Sequence, residues 1–191
     1  MVINAVSFLL NTLLGLLSAA FLLRFYLQTT RAPFQNPLSQ TIIGLTNFAV
    51  VPLRRLIPGL FGLDLSALLL GFLTQLLAQI GMKWLSGFPF PLADSIAWLG
   101  FFGLAAMHVI NISVDIFVYA VIAQALLSWV NPHTPIAPAL DALTRPILRP
   151  IRNLIGIPGG VDLSPLVVVL AAQLLQMLLF APIEIALLKL L

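Results

Sequence analysis

The sequence has no cysteine and few charged residues. Without cysteine, the chain cannot form disulfide bonds, thiolate metal sites or a cysteine nucleophile. Charged residues make up 8% of its 191 residues, against roughly 25% in an average soluble domain. Nine basic and six acidic side chains cannot cover the surface of a soluble protein of this size. These scarcities exclude a soluble enzyme, a nucleic-acid-binding module and a disordered chain.

Hydrophobic residues are abundant instead, at 61% of the chain with a mean hydropathy of +1.11. A helix of about 20 apolar residues crosses the hydrocarbon core of a bilayer. Four stretches are long enough, at approximately residues 3–23, 66–85, 107–129 and 164–188. We therefore predict an all-α, polytopic membrane protein with about four transmembrane helices, together with interfacial or re-entrant helices.

The apolar stretch from Asp94 to Val130 is too long for one span at ordinary tilt, since it would form a helix of about 50 Å. We predict an outer interfacial or re-entrant helix after Asp94, which leads into a span that begins near Met107. Whether residues 95–114 themselves cross the membrane stays open, and five spans are the alternative.

The basic residues are unevenly distributed between the loops. Two loops carry seven of them, namely Arg24, Arg31, Arg54, Arg55, Arg145, Arg149 and Arg152. Lys83 and Lys189 lie beyond the opposite ends of the spans. Because loops rich in lysine and arginine stay in the cytoplasm, we expect both arginine-bearing loops to be cytoplasmic and both termini to lie outside.

The chain contains an internal repeat. A spacing of 98 residues places Asp64-Leu65-Ser66 on Asp162-Leu163-Ser164, and Arg54 on Arg152. The helices that precede the two loops align at a spacing of 104 residues, which places Asn11 on Asp115. Repeats of this kind define an architecture, and both copies have the same orientation because their basic loops share one side. The predicted units are a first repeat at residues 1–87, a linker at 88–106 and a second repeat at 107–191.

Each copy resembles a repeat of the YggT family (YlmG-related), whose hallmark is a loop rich in proline and arginine that leads into Asp-x-Ser-Pro. The second copy has Thr144-Arg145-Pro146-Ile147-Leu148-Arg149-Pro150-Ile151-Arg152 followed by Asp162-Leu163-Ser164-Pro165, whereas the first has Ala67 in place of the final proline. The resemblance implies a bacterial inner-membrane protein with links to osmotic tolerance, cell division or the assembly of membrane complexes. It implies no enzymatic reaction and no cofactor.

Five loop arginines are candidate contacts for anionic lipid head groups or for partner membrane proteins, namely Arg54, Arg55, Arg145, Arg149 and Arg152. A helix from Pro138 to Arg152 would place its arginines opposite an apolar face, which is typical of an interfacial helix. Pro146 and Pro150 predict a kinked or broken segment there. The alternative is that these arginines only fix the topology.

The Asp-x-Ser motifs predict contacts between loop and helix at Asp64, Ser66, Asp162 and Ser164. Ser164 precedes a proline, as an N-cap residue does before a helix. A second interpretation pairs each aspartate with a loop arginine, which would tie the loop to the following helix.

Polar residues within the spans form stripes at helical spacing and include Asn11, Gln75, His108, Asn111, Asp115 and Gln173. Such stripes usually face the interior of a bundle, where amides form hydrogen bonds between helices. Asp115 is an ionisable group at membrane depth and is therefore a candidate for proton or cation handling.

These features favour a non-enzymatic scaffold or assembly factor that binds lipid and other membrane proteins. A small channel or transporter subunit that uses the polar stripes is the alternative, in which a homo-oligomer would help to enclose the pathway. With two histidines and no cysteine, we expect neither a metal site nor a cofactor, and no nucleic-acid partner.

Overall fold

The computed structural model describes residues 1–59, 62–92, 94–156 and 162–191. Within these ranges the chain forms α-helices joined by short loops. The helices are α1 (Val2–Thr29), α2 (Pro37–Leu56), α3 (Leu65–Leu85), α4 (Ser95–Val130), α5 (Ala137–Ile155), α6 (Ser164–Leu175) and α7 (Ala181–Leu188). A 3-10 turn at Phe90–Leu92 precedes α4, and a π-helical turn at Gln176–Phe180 joins α6 to α7.

Four helical segments are long and apolar enough to cross a membrane: Val2–Thr29, Leu65–Leu85, Ser95–Val130 and Ser164–Leu188. Large apolar side chains lie exposed along them, among them Leu13 on α1 and Met177 in the last segment. A protein surface of this kind is solvated by lipid tails rather than by water. The prediction of an all-α polytopic membrane protein with four spans is confirmed.

The long helix α4 differs from the prediction for this region. Ser95–Val130 is one uninterrupted helix of 36 residues, so the expected separate helix before a span starting at Met107 is wrong. The described residues likewise contain four candidate spans rather than five. Asp94 caps the helix through the backbone N–H of Ala97, at 2.9 Å.

The first turns of α4 stay helical because both of their sides are packed. The rings of Phe90, Trp98 and Phe101 form an aromatic cluster with centroids 5.6–6.4 Å apart. On the other side, a Cβ atom at Gly103 would lie 2.7 Å from Cδ2 of Leu187, so the leucine side chain of α7 packs into the space that Gly103 leaves open.

The helices α2 and α5 carry the loop arginines and lie beside the spans. Helix α5 continues from Ala137 to Ile155 through Pro146 and Pro150, so the predicted break in this segment is absent. Both prolines lie on the exposed side of α5. Water can bond the carbonyl groups that lose a helical partner there, which limits the cost of each proline.

The two copies of the repeat have equivalent small cores. In the first copy, Phe21 of α1 packs with Val50 of α2 and Ala67 of α3. In the second, Val121 of α4 packs with Leu148 of α5 and Val168 of α6. Val50 and Leu148 are related by the spacing of 98 residues, so the repeat in sequence is also a repeat in packing.

The copies contact each other mainly through α3 and α4. Helix α4 packs most extensively on α3 and also on α1, and α1 reaches α5 as well. Leu27 at the end of α1 joins Ala120 of α4 and Leu143 of α5 in a shared buried cluster. The end of α1 therefore connects the arginine-bearing parts of the two copies, which lie at the same end of the bundle.

Candidate functional site

An ion pair in the first copy joins α2 to the start of α3. Asp64 is fully buried and caps α3 by accepting a hydrogen bond from the backbone N–H of Ala67, at 3.3 Å. Arg54 donates to both oxygens of this carboxylate, with Nε 3.4 Å from Oδ1. The hydroxyl of Ser66 donates to the carbonyl oxygen of Ile57 at 2.7 Å, which ties the end of α2 to the same helix.

A second arginine shares this carboxylate, and sequence reasoning missed its role. Arg24 is 6% exposed, and its Nη1 donates to Thr46 Oγ1 and to Asn47 Oδ1, each at 2.8 Å. Its Nε lies 3.5 Å from Asp64 Oδ2. Arginine is almost never buried without a partner. No sequence pattern indicated this role, because it depends on how α1 rotates toward Thr46 and Asn47.

The second copy repeats the aspartate–arginine pair at the equivalent positions. Arg152 Nε donates to Asp162 Oδ2 at 2.7 Å, and Arg152 and Asp162 have the same separation in sequence as Arg54 and Asp64. The backbone N–H of Ser164 donates to Asp162 Oδ1 at 3.0 Å. The N-cap of α6 is Leu163, and Ser164 is the first residue of the helix. The prediction of Ser164 as the N-cap is therefore wrong.

The carboxyl group of Asp162 is held in its charged form. Burial by itself would raise the pKa of Asp162, but hydrogen bonds from Ser164 and the charge and hydrogen bond of Arg152 lower the pKa below its ordinary value of 3.8. The pair is more open to solvent than its counterpart, because the side chain of Asp162 is 29% exposed whereas that of Asp64 is 0% exposed.

A cleft lined by arginines separates the end of α1 from α5. Its volume is about 940 Å³, and its charged lining residues are Arg31, Asp141, Arg145 and Arg149. The rest of its wall is largely apolar or weakly polar and includes Tyr26, Phe117, Pro138, Ala142, Pro146 and Pro150. The cleft therefore combines a cationic rim with an apolar floor.

The arginines of this cleft differ in how they are held. Arg31 has a backbone φ of 54°, a left-handed conformation that is uncommon for residues other than glycine. Arg145 pairs with Asp141, and its side chain is 65% exposed. Arg149 is exposed on α5, as Arg55 is on α2.

The intramembrane polar residues form contacts between α4 and the last span. Gln176 Nε2 donates to Asp115 Oδ1 at 2.8 Å, and His108 Nε2 lies 3.5 Å from Glu184 Oε1. Gln79 Nε2 of α3 lies 3.5 Å from His108 Nδ1. Glu184 was missed by sequence reasoning, although a single acid within a 25-residue apolar segment was a signal that could have found it.

The remaining members of the predicted stripes lie in different environments. Gln75 is buried in α3, at 4% exposure, and Asn111 is partly buried in α4. Asn11 and Gln173 are exposed on the surface of the bundle, so an interior position for these two is wrong. Their helices present other faces to the neighbouring helices, because packing between bulky apolar residues sets the rotation of each helix.

Among the residues that the structure describes, no group of three or more histidine, aspartate or glutamate side chains lies close enough together to bind a metal ion. What the geometry provides instead is two charged clusters at the arginine-bearing end and a short series of polar contacts within the spans.

Comparison with known proteins gives consistent family relationships. The CCB3/YggT family model matches residues 3–85 and again residues 103–183. The chain is 39% identical to the uncharacterized protein PA0392 of Pseudomonas aeruginosa over 92% of this chain and 88% of that protein. It is 30% identical to the uncharacterized protein YggT of Escherichia coli K12 over 91% and 88%. No solved structure matches the chain.

Proposed function

The chain belongs to the CCB3/YggT family, as two tandem copies of its repeat, and we propose that it is a non-enzymatic membrane scaffold or assembly factor. In this proposal, the arginine-bearing helices α2 and α5 lie at the cytoplasmic face of the bacterial inner membrane. Helix α5 and the end of α1 bind anionic phospholipid there, and α2 and α5 present a basic surface to partner membrane proteins.

The observation that carries the proposal is the cleft between α1 and α5, with Arg31, Arg145 and Arg149 on its rim. A phospholipid phosphate is an anion with several acceptor oxygens, which arginine side chains bind in a forked geometry. The apolar floor around Phe117 gives an acyl chain a surface to follow. The cleft thus has the chemistry of both parts of an anionic lipid.

The sidedness in this proposal follows from charge. Three arginines lie between the first two spans, a fourth, Arg24, lies near the end of the first span, and three lie between the last two spans. Loops of this length with many basic residues are retained in the cytoplasm. The cytoplasmic leaflet is rich in anionic lipid, and each nearby basic residue contributes about 1 kcal/mol to binding. Topology and lipid binding therefore favour the same side.

Lipid binding by the purified protein tests the proposal. The triple variant Arg31→Gln/Arg145→Gln/Arg149→Gln should lose the preference for phosphatidylglycerol over phosphatidylcholine. The three arginines together contribute about 3 kcal/mol, so the Kd for phosphatidylglycerol should rise by roughly 100-fold. Native mass spectrometry with both lipids measures the preference directly.

The matched control removes the same charge elsewhere, in Arg55→Gln/Lys83→Gln/Lys189→Gln. This control should keep the preference for phosphatidylglycerol, because none of its positions lines the cleft. Equal loss in both triple variants would mean that net charge alone attracts the lipid, and the proposal would fail.

A small channel or transporter subunit is the second candidate, and the contacts of Asp115 and His108 with the last span favour it. An ion pathway requires polar ligands at depth, and Asp115→Asn removes the charge while it preserves the volume and the hydrogen bond to Gln176. We expect Asp115→Asn cells to grow normally under osmotic challenge, and wild-type protein in liposomes to conduct no ions. Cation flux that this one substitution abolishes would favour the channel instead.

A further inference from the structure

The second copy of the repeat has a cavity where the first copy has two large side chains. The cavity has a volume of about 630 Å³ and lies between the end of α4, α5 and the start of α6. Its described lining residues include Ala125, Ser128, Arg152 and Asp162.

The packing of the two copies shows what fills the equivalent space in the first copy. Val121 packs with Leu148 and Val168 as Phe21 packs with Val50 and Leu70, and Gln124 forms a hydrogen bond with Thr144 as Arg24 does with Thr46. Phe21 is 1% exposed and Arg24 is 6% exposed, so both are fully packed. Val121 and Gln124 are smaller than the side chains that they replace, and both line the cavity of the second copy.

The cavity walls are otherwise equivalent to the packed site. Arg152 and Asp162 are paired as Arg54 and Asp64 are, and Leu148 occupies the place of Val50. The second copy therefore keeps the anionic partner of the missing guanidinium group and lacks the group itself.

The charges at the two sites support the same conclusion. In the first copy, Asp64 Oδ2 accepts from Arg54 and also lies 3.5 Å from Arg24 Nε. In the second, Asp162 Oδ2 has Arg152 as its cationic partner among the described residues. The first copy stably holds two cations on one carboxylate, so Arg152 does not exclude a second cation beside Asp162.

We infer that this cavity is a binding site for an organic cation, in which a guanidinium or primary ammonium group pairs with Asp162 and an attached apolar group lies against Ala125 and Leu148. The bound cation supplies the charge that Arg24 supplies in the first copy, and its apolar group fills volume that the smaller Val121 leaves beside Leu148. The volume lies within the range of small-molecule sites, and an apolar wall with a few placed polar groups is typical of them.

The probe for this site is phenethylguanidinium, whose ring and charged group match the side chains of Phe21 and Arg24. Phenethylurea is the neutral control of the same shape. Thermal unfolding of the purified protein in detergent should show a Tm that rises with phenethylguanidinium, by ~5 °C at a hundredfold excess over Kd, and does not rise with the urea.

Variants of one carboxylate distinguish this cavity from the rest of the basic surface. Asp162→Asn should abolish the Tm shift, whereas Asp141→Asn, which removes an acid that pairs with Arg145 outside this cavity, should retain it. An equal shift in wild type and Asp162→Asn would overturn the proposal. Loss of the shift in Arg152→Gln with retention in Asp162→Asn would also overturn it, because the site would then bind an anion.

A gain-of-packing variant provides an independent test. Ser128 lines the cavity, and Ser128→Arg places a guanidinium group of the chain itself beside it, so this variant should raise Tm by about 2 °C or more over Ser128→Ala and should no longer respond to the probe. If Ser128→Arg fails to fold, the two aspartate variants still decide the question.

The same cation could come from a free alkylguanidine or alkylamine, or from an arginine or lysine side chain of a partner. Native mass spectrometry of protein purified in mild detergent separates these sources, because the first adds a small mass and the second adds a protein. Either adduct should disappear in Ser128→Arg, and an adduct that persists there would contradict its assignment to this cavity.

Discussion

At the scale of single residues, the two aspartates of the repeat differ in how strongly they depend on their partners. Asp64 is fully buried between Arg24 and Arg54, so its removal leaves a buried guanidinium group without its counter-charge. Asp162 and Arg152 are partly exposed, and water compensates for the loss of such a pair.

Substitution of each aspartate by asparagine measures this difference. Asp64→Asn should lower the free energy of unfolding by about 3–5 kcal/mol, because it leaves a buried charge uncompensated. Asp162→Asn should cost about 1 kcal/mol or less, because the pair is open to solvent. Unfolding in detergent with increasing denaturant compares the two, and equal losses would show that Arg24 is not buried as described.

The pKa of Asp162 predicts how its contribution depends on pH. Because its pKa in the folded state lies below 3.8, the stabilisation is complete above that value and is lost as pH falls through the lower folded pKa. The difference in Tm between wild type and Asp162→Asn should therefore stay constant from about pH 5 to pH 8 and shrink below about pH 4. A difference that disappears near neutral pH would contradict the ion pair.

Residue-level roles were partly predictable from the sequence. The pairing of Asp64 and Asp162 with loop arginines was the second interpretation of the Asp-x-Ser motifs, beside capping of the following helix, and the structure contains both pairs. The burial of Arg24 was not predictable, because it depends on how α1 rotates toward Thr46 and Asn47. Rotation also decides that Asn11 faces outward, and no periodicity within a nearly uniform apolar helix determines it.

At the scale of elements, the close packing of α1 on α3 positions the first charged cluster. The hydroxyl of Ser18 donates to the carbonyl oxygen of Gly71 at 3.0 Å. A Cβ atom at Gly71 would lie 3.1 Å from the side chain of Leu22. The two helices thus approach closely where one of them has no side chain, as small residues permit in membrane bundles.

A pair of glycine substitutions tests this close approach. Gly71→Val should lower the free energy of unfolding by about 1–3 kcal/mol, because it forces α1 and α3 apart. Gly15→Val, on the neighbouring helix, should change it by less than about 0.5 kcal/mol, since a Cβ atom there meets nothing within 4 Å. Unfolding measurements in one detergent compare the variants, and a tolerated Gly71→Val would contradict the packing.

Elements were predicted well where composition alone decides them. The four spans follow from the length and hydropathy of their segments, which is why their positions agree with the sequence. The prediction of a separate helix failed for α4, and the break predicted as one alternative for α5 is absent. Aromatic packing at Phe101 keeps α4 continuous, and an exposed face lets α5 continue through its prolines.

At the scale of the whole molecule, the two copies share the aspartate–arginine pair and differ in what lies beside it. The first copy fills its charged cluster with its own Arg24, whereas the second leaves a cavity beside Asp162. Both clusters lie where the arginine-bearing helices meet the spans. The account therefore requires both charged clusters to lie on the same side of the membrane, at the cytoplasmic face.

Labelling of single cysteines with an impermeant maleimide in intact cells measures this sidedness most directly, and the absence of native cysteine makes each label unambiguous. Gln35→Cys and His133→Cys place exposed thiols beside α2 and α5, and Ser86→Cys places one beyond the other end of α3. The account predicts labelling of Ser86→Cys in intact cells, and labelling of the other two only after lysis. Labelling of Gln35→Cys or His133→Cys in intact cells would contradict it.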